Sequence, residues 1–380
     1  MSNYETMVSH FKTNKIDLKT ENEDGDLNSA TSVSSGIPAL DVILAGGFFL
    51  GKVYELYGEE SAGKTTLSYQ TMAEFQKVGG VVLLLESESS FDTERARELG
   101  VDIAKVLRPN FKSFEDGTSI IMRTIEKNSI KETKFPLLIV WDTISASPTR
   151  SEIEKVSSGE ISKVYSDKPI LLRSFLRVLS GELSKTNSCF LLVSQVNDII
   201  GGFGHMAIKY EPAGGRGIKH HTSARILVNK KAPIFESDDS KVLIGFNTDL
   251  QLWKSKQSPE KQKITVKQYF NSGFDQLSSL VDYLAASKYS HRDMSFNGAW
   301  IKLRLNGVDK SFNGMAKFMI GVSELNDFPI MDFFKWHAYE NLKHLHPLTH
   351  LITRVNTIQD CLGYKPDETP EIQETKNDKK

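Results

Sequence analysis

The sequence predicts an α/β fold built on a central, mostly parallel, twisted sheet. Three observations point there. Short apolar runs such as residues 81–85 and 137–141 show little alternation, as expected of strands buried on both faces. These runs alternate with helical stretches. One strand is followed by a glycine-rich loop and then a helix, the order that opens a phosphate-binding unit.

Residues 1–35 contain one short helical stretch, then a polar segment rich in Glu, Asp, Asn, Ser and Thr, and read as an arm. The core is expected over 36–286. Its strands fit residues 53–57, 81–86, 137–141, 189–194 and 224–229, with a helix over 64–77. Residues 240–270 read as further strands carrying many lysines, and 277–286 as a helix. A small second domain is expected over 287–365, with a less readable stretch beginning at Gly298-Ala299-Trp300. Within it Trp336, His337, Lys343, His344 and His346 either contact duplex DNA or pack, and packing is favoured. Residues 366–380 are acidic, almost free of apolar side chains, and expected to be disordered.

Composition excludes several classes. The 380 residues hold 47 Lys and Arg against 48 Asp and Glu, a net charge of −1, so bulk charge alone argues against a nucleic-acid partner. The charge is unevenly spread, however: acids gather in 21–26 and in the tail, while basic groups gather in 201–225 and 253–267. No apolar run approaches the roughly 20 residues of a transmembrane helix, and the first residues do not read as a signal peptide. The two cysteines, Cys189 and Cys361, suggest neither a disulfide framework nor a metal cluster; Cys189 reads as a buried small hydrophobe. A protein of a reducing compartment, without a membrane partner, is expected.

Gly58-Glu59-Glu60-Ser61-Ala62-Gly63-Lys64-Thr65 fits G-x-x-x-x-G-K-[ST]. Glycines let backbone N–H groups wrap a phosphate, Lys64 adds charge at the β and γ positions, and the Thr65 hydroxyl is a magnesium ligand. The following helix presents its positive end to the same place. Asp142, closing an apolar strand, can hold magnesium through water or support Thr65. Water activation falls to Glu86 or Glu88, which spacing alone does not separate. Gln195 ends another apolar strand, where an amide could sense the γ-phosphate, although on sequence alone an ordinary polar strand-end residue is the better reading.

A long connection after that strand combines glycines with basic groups: Gly201, Gly202, Phe203, Gly204, His205, Lys209, Gly214, Gly215, Arg216, Gly217, Lys219, His220, His221 and Arg225. Mobile glycines, cations for phosphates and an aromatic for stacking suit single-stranded nucleic acid. A zinc reading of its histidines is weak, since no cysteine or fourth ligand has suitable spacing.

Together these pieces resemble the bacterial-type RecA recombinase family, including its phage-encoded members. The match runs from Ser34-Ser35-Gly36-Ile37-Pro38-Ala39-Leu40-Asp41 to about Phe274, and fainter to Trp300. Gly46, Gly47 and Gly51 before the first strand, Glu59, Glu60 and Ser61 in the loop, and Thr66 after it belong to the resemblance. So do Asp92 and residues 96–102 beside the adenine pocket, and Gly214, Gly215, Ile218, Lys219 and 223–225 at the end of the second DNA loop. The resemblance implies a RecA-like ATPase core with an N-terminal arm and a small C-terminal domain. It implies Glu88 as the catalytic glutamate, Gln195 as γ-phosphate sensor, and Lys254 and Lys256 as a pair reaching the neighbouring subunit's ATP. Residues 155–168 match the first DNA loop in position only.

Four positions depart from the family pattern. Arg95 replaces an aromatic that stacks on adenine, and its planar guanidinium can also stack. His220 replaces an aromatic of subunit communication, Glu86 an Asp, and Trp141 a smaller residue. About 35 residues precede the core and extra sequence follows it, as in the bacterial arrangement. The implied function is an ATP- and Mg²⁺-dependent recombinase that forms helical filaments on single-stranded DNA and pairs it with a homologous duplex. Accessory single-strand-binding and loader proteins are expected partners, and a bacterial or phage-infected cytoplasm the expected location. The alternatives are a hexameric helicase of the same fold, or a non-catalytic paralogue acting as mediator. The second is disfavoured by the presence of Lys64, Thr65, Glu88, Asp142 and Gln195.

Overall fold

The computed structural model describes residues 31–88, 90–130, 135–160, 167–198, 210–212, 216–237, 239–305, 308–323, 329–346, 349–362 and 366. The chain forms two compact units, Met1–Ser32 and Val33–Lys380, and the central sheet and its helices belong to the second. Residues 1–30 of the arm, the segments 161–166 and 199–209, Gly214, Gly215 and most of the tail lie outside the described residues.

The strands are β1 (Ser32–Val33), β2 (Phe48–Phe49), β3 (Val53–Gly58), β4 (Val81–Glu86), β5 (Val106–Leu107), β6 (Leu137–Asp142), β7 (Ser188–Asp198), β8 (Tyr210–Pro212), β9 (Ala224–Phe235), β10 (Leu243–Ser255), β11 (Lys263–Tyr269), β12 (Gly273–Phe274), β13 (Met294–Asn297), β14 (Trp300–Leu305) and β15 (Val308–Asn313). The helices are α1 (Pro38–Ile43), α2 (Lys64–Lys77), α3 (Thr93–Glu98), α4 (Phe114–Ile130), α5 (Arg150–Ser157), α6 (Lys168–Leu183), α7 (Arg216–His221), α8 (Gln276–Ala286), α9 (Met315–Ser323), α10 (Ile330–Leu345) and α11 (Thr349–Asp360).

One ten-stranded sheet runs β12-β11-β10-β9-β3-β7-β6-β4-β5, with β8 beside β7. Strands β9, β3, β7, β6, β4 and β5 pair in parallel. An antiparallel β9-β10-β11-β12 flank closes one side. The uninterrupted apolar runs now have their explanation. Leu138 and Val140 of β6 enter one core layer, and Leu137, Ile139 and Trp141 the other. Cys189, Leu191 and Val193 of β7 likewise face opposite to Phe190 and Leu192. Each fully buried aliphatic side chain contributes about 1.5–3 kcal/mol, so both layers favour a central position for these strands.

The sequence pattern ended two strands too early. β9 continues to Phe235 along β10, although Lys230, Lys231 and Pro233 break its apolar run. Antiparallel pairing tolerates a solvated face, so the hydrogen-bond ladder outlasts the hydrophobic signal. β7 likewise continues past Gln195 to Asp198 because β8 pairs with its last residues.

Beyond α8, strands β13, β14 and β15 form an antiparallel sheet, and α10 packs against α1 and α8. Phe318, Phe333, Phe334, Ala338 and Leu342 join the core layer that holds Leu40 and Leu280. Of the histidines and cations there, His337 is fully buried and Lys343 bonds Asn356, Gln359 and Glu340, whereas the His344 side chain is 71% exposed. Cys189 is buried and Cys361 exposed.

Candidate nucleotide site and its surroundings

Parallel register assembles the site. Gly58, at the end of β3, lies opposite Gln195 of β7, and Glu86, at the end of β4, lies opposite Asp142 of β6. Gly58, Gln195, Glu86 and Asp142 are therefore brought together toward the carboxyl ends of neighbouring strands, where α/β sheets open a ligand crevice. The loop from Gly58 to Lys64 needs its glycines. A Cβ on Gly58 would lie 2.1 Å from the Val228 carbonyl oxygen, and Gly63 has φ +105° with Gln268 filling the space a Cβ would take.

Helix α2 starts at Lys64, as the spacing predicts. The Lys64 ammonium folds back onto the loop, donating to the carbonyls of Gly58 at 2.9 Å and Glu59 at 2.6 Å. Burial lowers its pKa, and Asp142, Glu88, Glu60 and Glu59 oppose that shift. Thr65 donates to Asp142 Oδ2 at 2.9 Å. Burial raises the Asp142 carboxyl to about 6, helped by Glu88 and Glu86 and opposed by Thr65 and Lys64. Glu59, Glu60 and Ser61 are exposed at the loop rim, and Ala62 is buried.

The two carboxylates that spacing could not separate have different surroundings. Glu86 Oε1 accepts the backbone N–H groups of Glu88 and Ser90, so it braces the turn. Glu88 Oε1 accepts from the Thr143 hydroxyl at 2.8 Å and from Gln195 Nε2 at 3.1 Å, on the side of Asp142. Thr143 and Gln268 were not singled out by sequence reasoning. Gln268 accepts from Thr248 and donates to Thr66, holding β11 against the start of α2.

Asp92 caps α3 by accepting from the Arg95 N–H. The Arg95 guanidinium donates to the carbonyls of Asn271 and Tyr269 and pairs with Glu98, so its edges are engaged by the turn after β11. Trp141 reaches the hydroxyls of Ser87 and Ser147 with its indole N–H, and its ring occupies the space beside Gly117.

Lys254 donates to the carbonyls of Lys219 and Thr222, and Lys256 to that of His220. Both therefore satisfy the orphan carbonyls at the end of α7. Burial, with Lys256 and Arg225 nearby, lowers Lys254 to about 8. Lys219 and His220 are themselves exposed. The Arg225 side chain, expected among the DNA-contacting groups, is 11% exposed and pairs at 2.5 Å with fully buried Glu55. Its guanidinium also lies over the Tyr57 ring, so it neutralises an interior carboxylate. Gly201, Gly202, Phe203, Lys209, Gly214 and Gly215 lie outside the described residues, and of Arg216 only the backbone is described.

The donor set fits a magnesium nucleotide. A glycine cradle with a buried ammonium suits phosphate oxygens, and a converging hydroxyl and carboxylate offer the oxygen ligands magnesium takes. Fold and site define a phosphate-loop nucleotide-binding protein of the α/β class.

The family profile described as RecA N-terminal domain matches residues 10–275. Protein RecA of Ureaplasma parvum is 30% identical over 304 residues, 80% of this chain and 85% of its own. Protein RecA of Borreliella afzelii is 30% identical over 299 residues, 78% and 77% of the two chains. Protein RecA of Chlorobaculum tepidum is 32% identical over 252 residues, 66% and 68%. The chain belongs to the RecA recombinase family. Among the described residues, no helix is long and apolar enough to cross a membrane.

Proposed function

We propose that the chain is a DNA-dependent ATPase that polymerises as a helical filament on single-stranded DNA and exchanges strands with a homologous duplex. The observation that carries this reading is the convergence of Glu88, Asp142 and Gln195 on the phosphate loop, with Gln195 just before the basic segment. ATP supplies the transferable phosphoryl group, and magnesium offsets its charge.

Lys64 and the loop N–H groups hold the phosphates, and Thr65 and Asp142 hold the metal. Glu88 orients the attacking water and accepts its proton. Arg95 bonds through its edges, which leaves its planar faces for a base. Gln195 shares Glu88, so a γ-phosphate that draws the amide away also shifts the strand leading into the basic segment. Gly201, Gly202, Phe203, Lys209, Gly214, Gly215, Arg216 and Lys219 line the DNA there. Lys254 and Lys256 leave the end of α7 to reach the neighbouring subunit's nucleotide, which ties subunit contact to the same loop. The arm at 1–35 serves assembly, 36–286 is the ATPase and DNA-binding core, and 287–365 is a small C-terminal domain. The protein acts in the cytoplasm.

Phosphate release measured with and without single-stranded DNA, alongside electron microscopy with a non-hydrolysable ATP analogue, tests the proposal. At least tenfold stimulation and helical filaments on single strands are expected. Six-fold rings, or no stimulation, would overturn it.

A further inference from the structure

A second group of metal-ligating side chains lies far along the chain from the nucleotide crevice and beyond the residues matched by the family profile. The segment before β13 contributes His291 and Asp293, and α10 contributes His337. One ligand atom from each lies within 4.8 Å of the other two. His291 Nδ1 stands 3.8 Å from Asp293 Oδ2, and the two imidazole centroids are 4.9 Å apart. His337 is fully buried and Asp293 is 5% exposed.

The surroundings orient these groups as the outer shell of a metal site does. Arg292 Nε donates to Asp293 Oδ1 at 2.9 Å, which sets Oδ2 on the histidine side. His337 Nδ1 and the Tyr289 hydroxyl are hydrogen-bonded at 3.0 Å, which fixes that ring and assigns ligation to Nε2. His291 Nδ1 accepts from the Asp293 N–H at 3.2 Å, a contact that this nitrogen would exchange for the ion.

We propose that His291, Asp293 and His337 bind one divalent transition cation of the zinc type. Two imidazoles and one carboxylate suit zinc, whereas magnesium and calcium prefer all-oxygen shells. Bond lengths of about 2.0–2.2 Å place tetrahedral ligands roughly 3.4 Å apart, so a pair at the 4.8 Å limit closes by about 1.4 Å. His291, on a connecting segment and 29% exposed, is the ligand able to make that adjustment. Three protein ligands leave the fourth position to water. The bound ion would tie the β13-β14-β15 sheet to α10.

The competing reading is aromatic packing, because Tyr289 stacks on His291, and Trp336 and Phe333 pack against His337. The test uses the full chain loaded with Zn²⁺, dialysed against a weak chelator and assayed for metal by mass spectrometry, with thermal melts alongside. Retention of one zinc per chain and a Tm raised by several degrees are expected. His291→Gln should lose both while melting like the metal-free wild type. If wild type keeps no zinc, or His291→Gln keeps as much, the site does not exist. Should that variant fail to fold, Co²⁺-loaded wild type decides: a visible d–d band characteristic of low coordination supports the site, and its absence overturns it.

Discussion

Gln195 Nε2, in β7, donates to Glu88 Oε1, just after β4, at 3.1 Å, although these strands are not neighbours in the sheet. Strand β6 lies between them, and its successor residue Thr143 donates to the same carboxylate oxygen. One oxygen thus joins β7 to the residues just after β4 and β6.

That sharing sets the first prediction. Glu88→Gln keeps the size of the side chain but cannot take a proton. Its DNA-stimulated phosphate release should fall by about 10²–10⁴-fold, while nucleotide affinity changes only a few-fold. Gln195→Ala should leave DNA-independent hydrolysis largely in place and reduce its stimulation by DNA. Equal loss of both rates in Gln195→Ala would assign the amide to catalysis alone.

Asp142 governs a pH effect. Its carboxyl titrates near 6 in the folded chain and near 3.8 when unfolded, so between these values the native state holds more protons. Stability of the nucleotide-free protein should fall as pH rises through that window, by no more than about 2 kcal/mol given partial exposure. Magnesium nucleotide requires the charged form, so its affinity should weaken below about pH 6. Asp142→Asn should flatten both profiles, read by denaturant melts and by binding titrations from pH 4.5 to 8. An unchanged affinity profile in that variant would remove Asp142 from the metal site.

The Glu55–Arg225 pair yields a stability prediction distinct from DNA binding. Arg225→Ala strands a carboxylate inside the sheet, and breaking such a pair costs about 3–5 kcal/mol. Burial already raises the Glu55 pKa against the pull of Arg225, so without the partner the group protonates more readily. The penalty should therefore shrink as pH falls. Glu55→Gln combined with Arg225→Met should recover part of the loss. A variant with normal stability but a shallower salt dependence of DNA binding would return Arg225 to the DNA surface.

The sequence was most informative where chemistry and periodicity coincide. Residues 64–77 form the predicted helix, and 81–86 the predicted strand, because buried runs and a loop with fixed glycine spacing leave few alternatives. Glu86 and Glu88 were inseparable by spacing, since what distinguishes them is which backbone N–H groups curl back onto Glu86. In sequence Arg225 is one of the basic groups of the segment after β7. Only the parallel pairing of β3 with β9 sets Glu55 beside it. The extension of β9 and β7 was hidden for a related reason: hydrogen-bond ladders need a partner strand, not an apolar pattern.

Gly63 provides a test that reaches the phosphate loop through Gln268, a residue the sequence did not highlight. A methyl group at Gly63 would meet Gln268 Oε1 at 2.4 Å and would also have to adopt φ +105°. Gln268 in turn bonds Thr66, in the first turn of α2, and Thr248. Gly63→Ala should therefore lose nucleotide binding by tenfold or more without unfolding the sheet, since the strain is local, at about 1–3 kcal/mol. Adding Gln268→Ala removes the clash but not the backbone strain, so affinity should return only in part. Full recovery would make side-chain crowding the whole effect, and no recovery would make the left-handed backbone at Gly63 the sole requirement. Isothermal titration with a non-hydrolysable nucleotide, on the two single variants and the double, separates these outcomes.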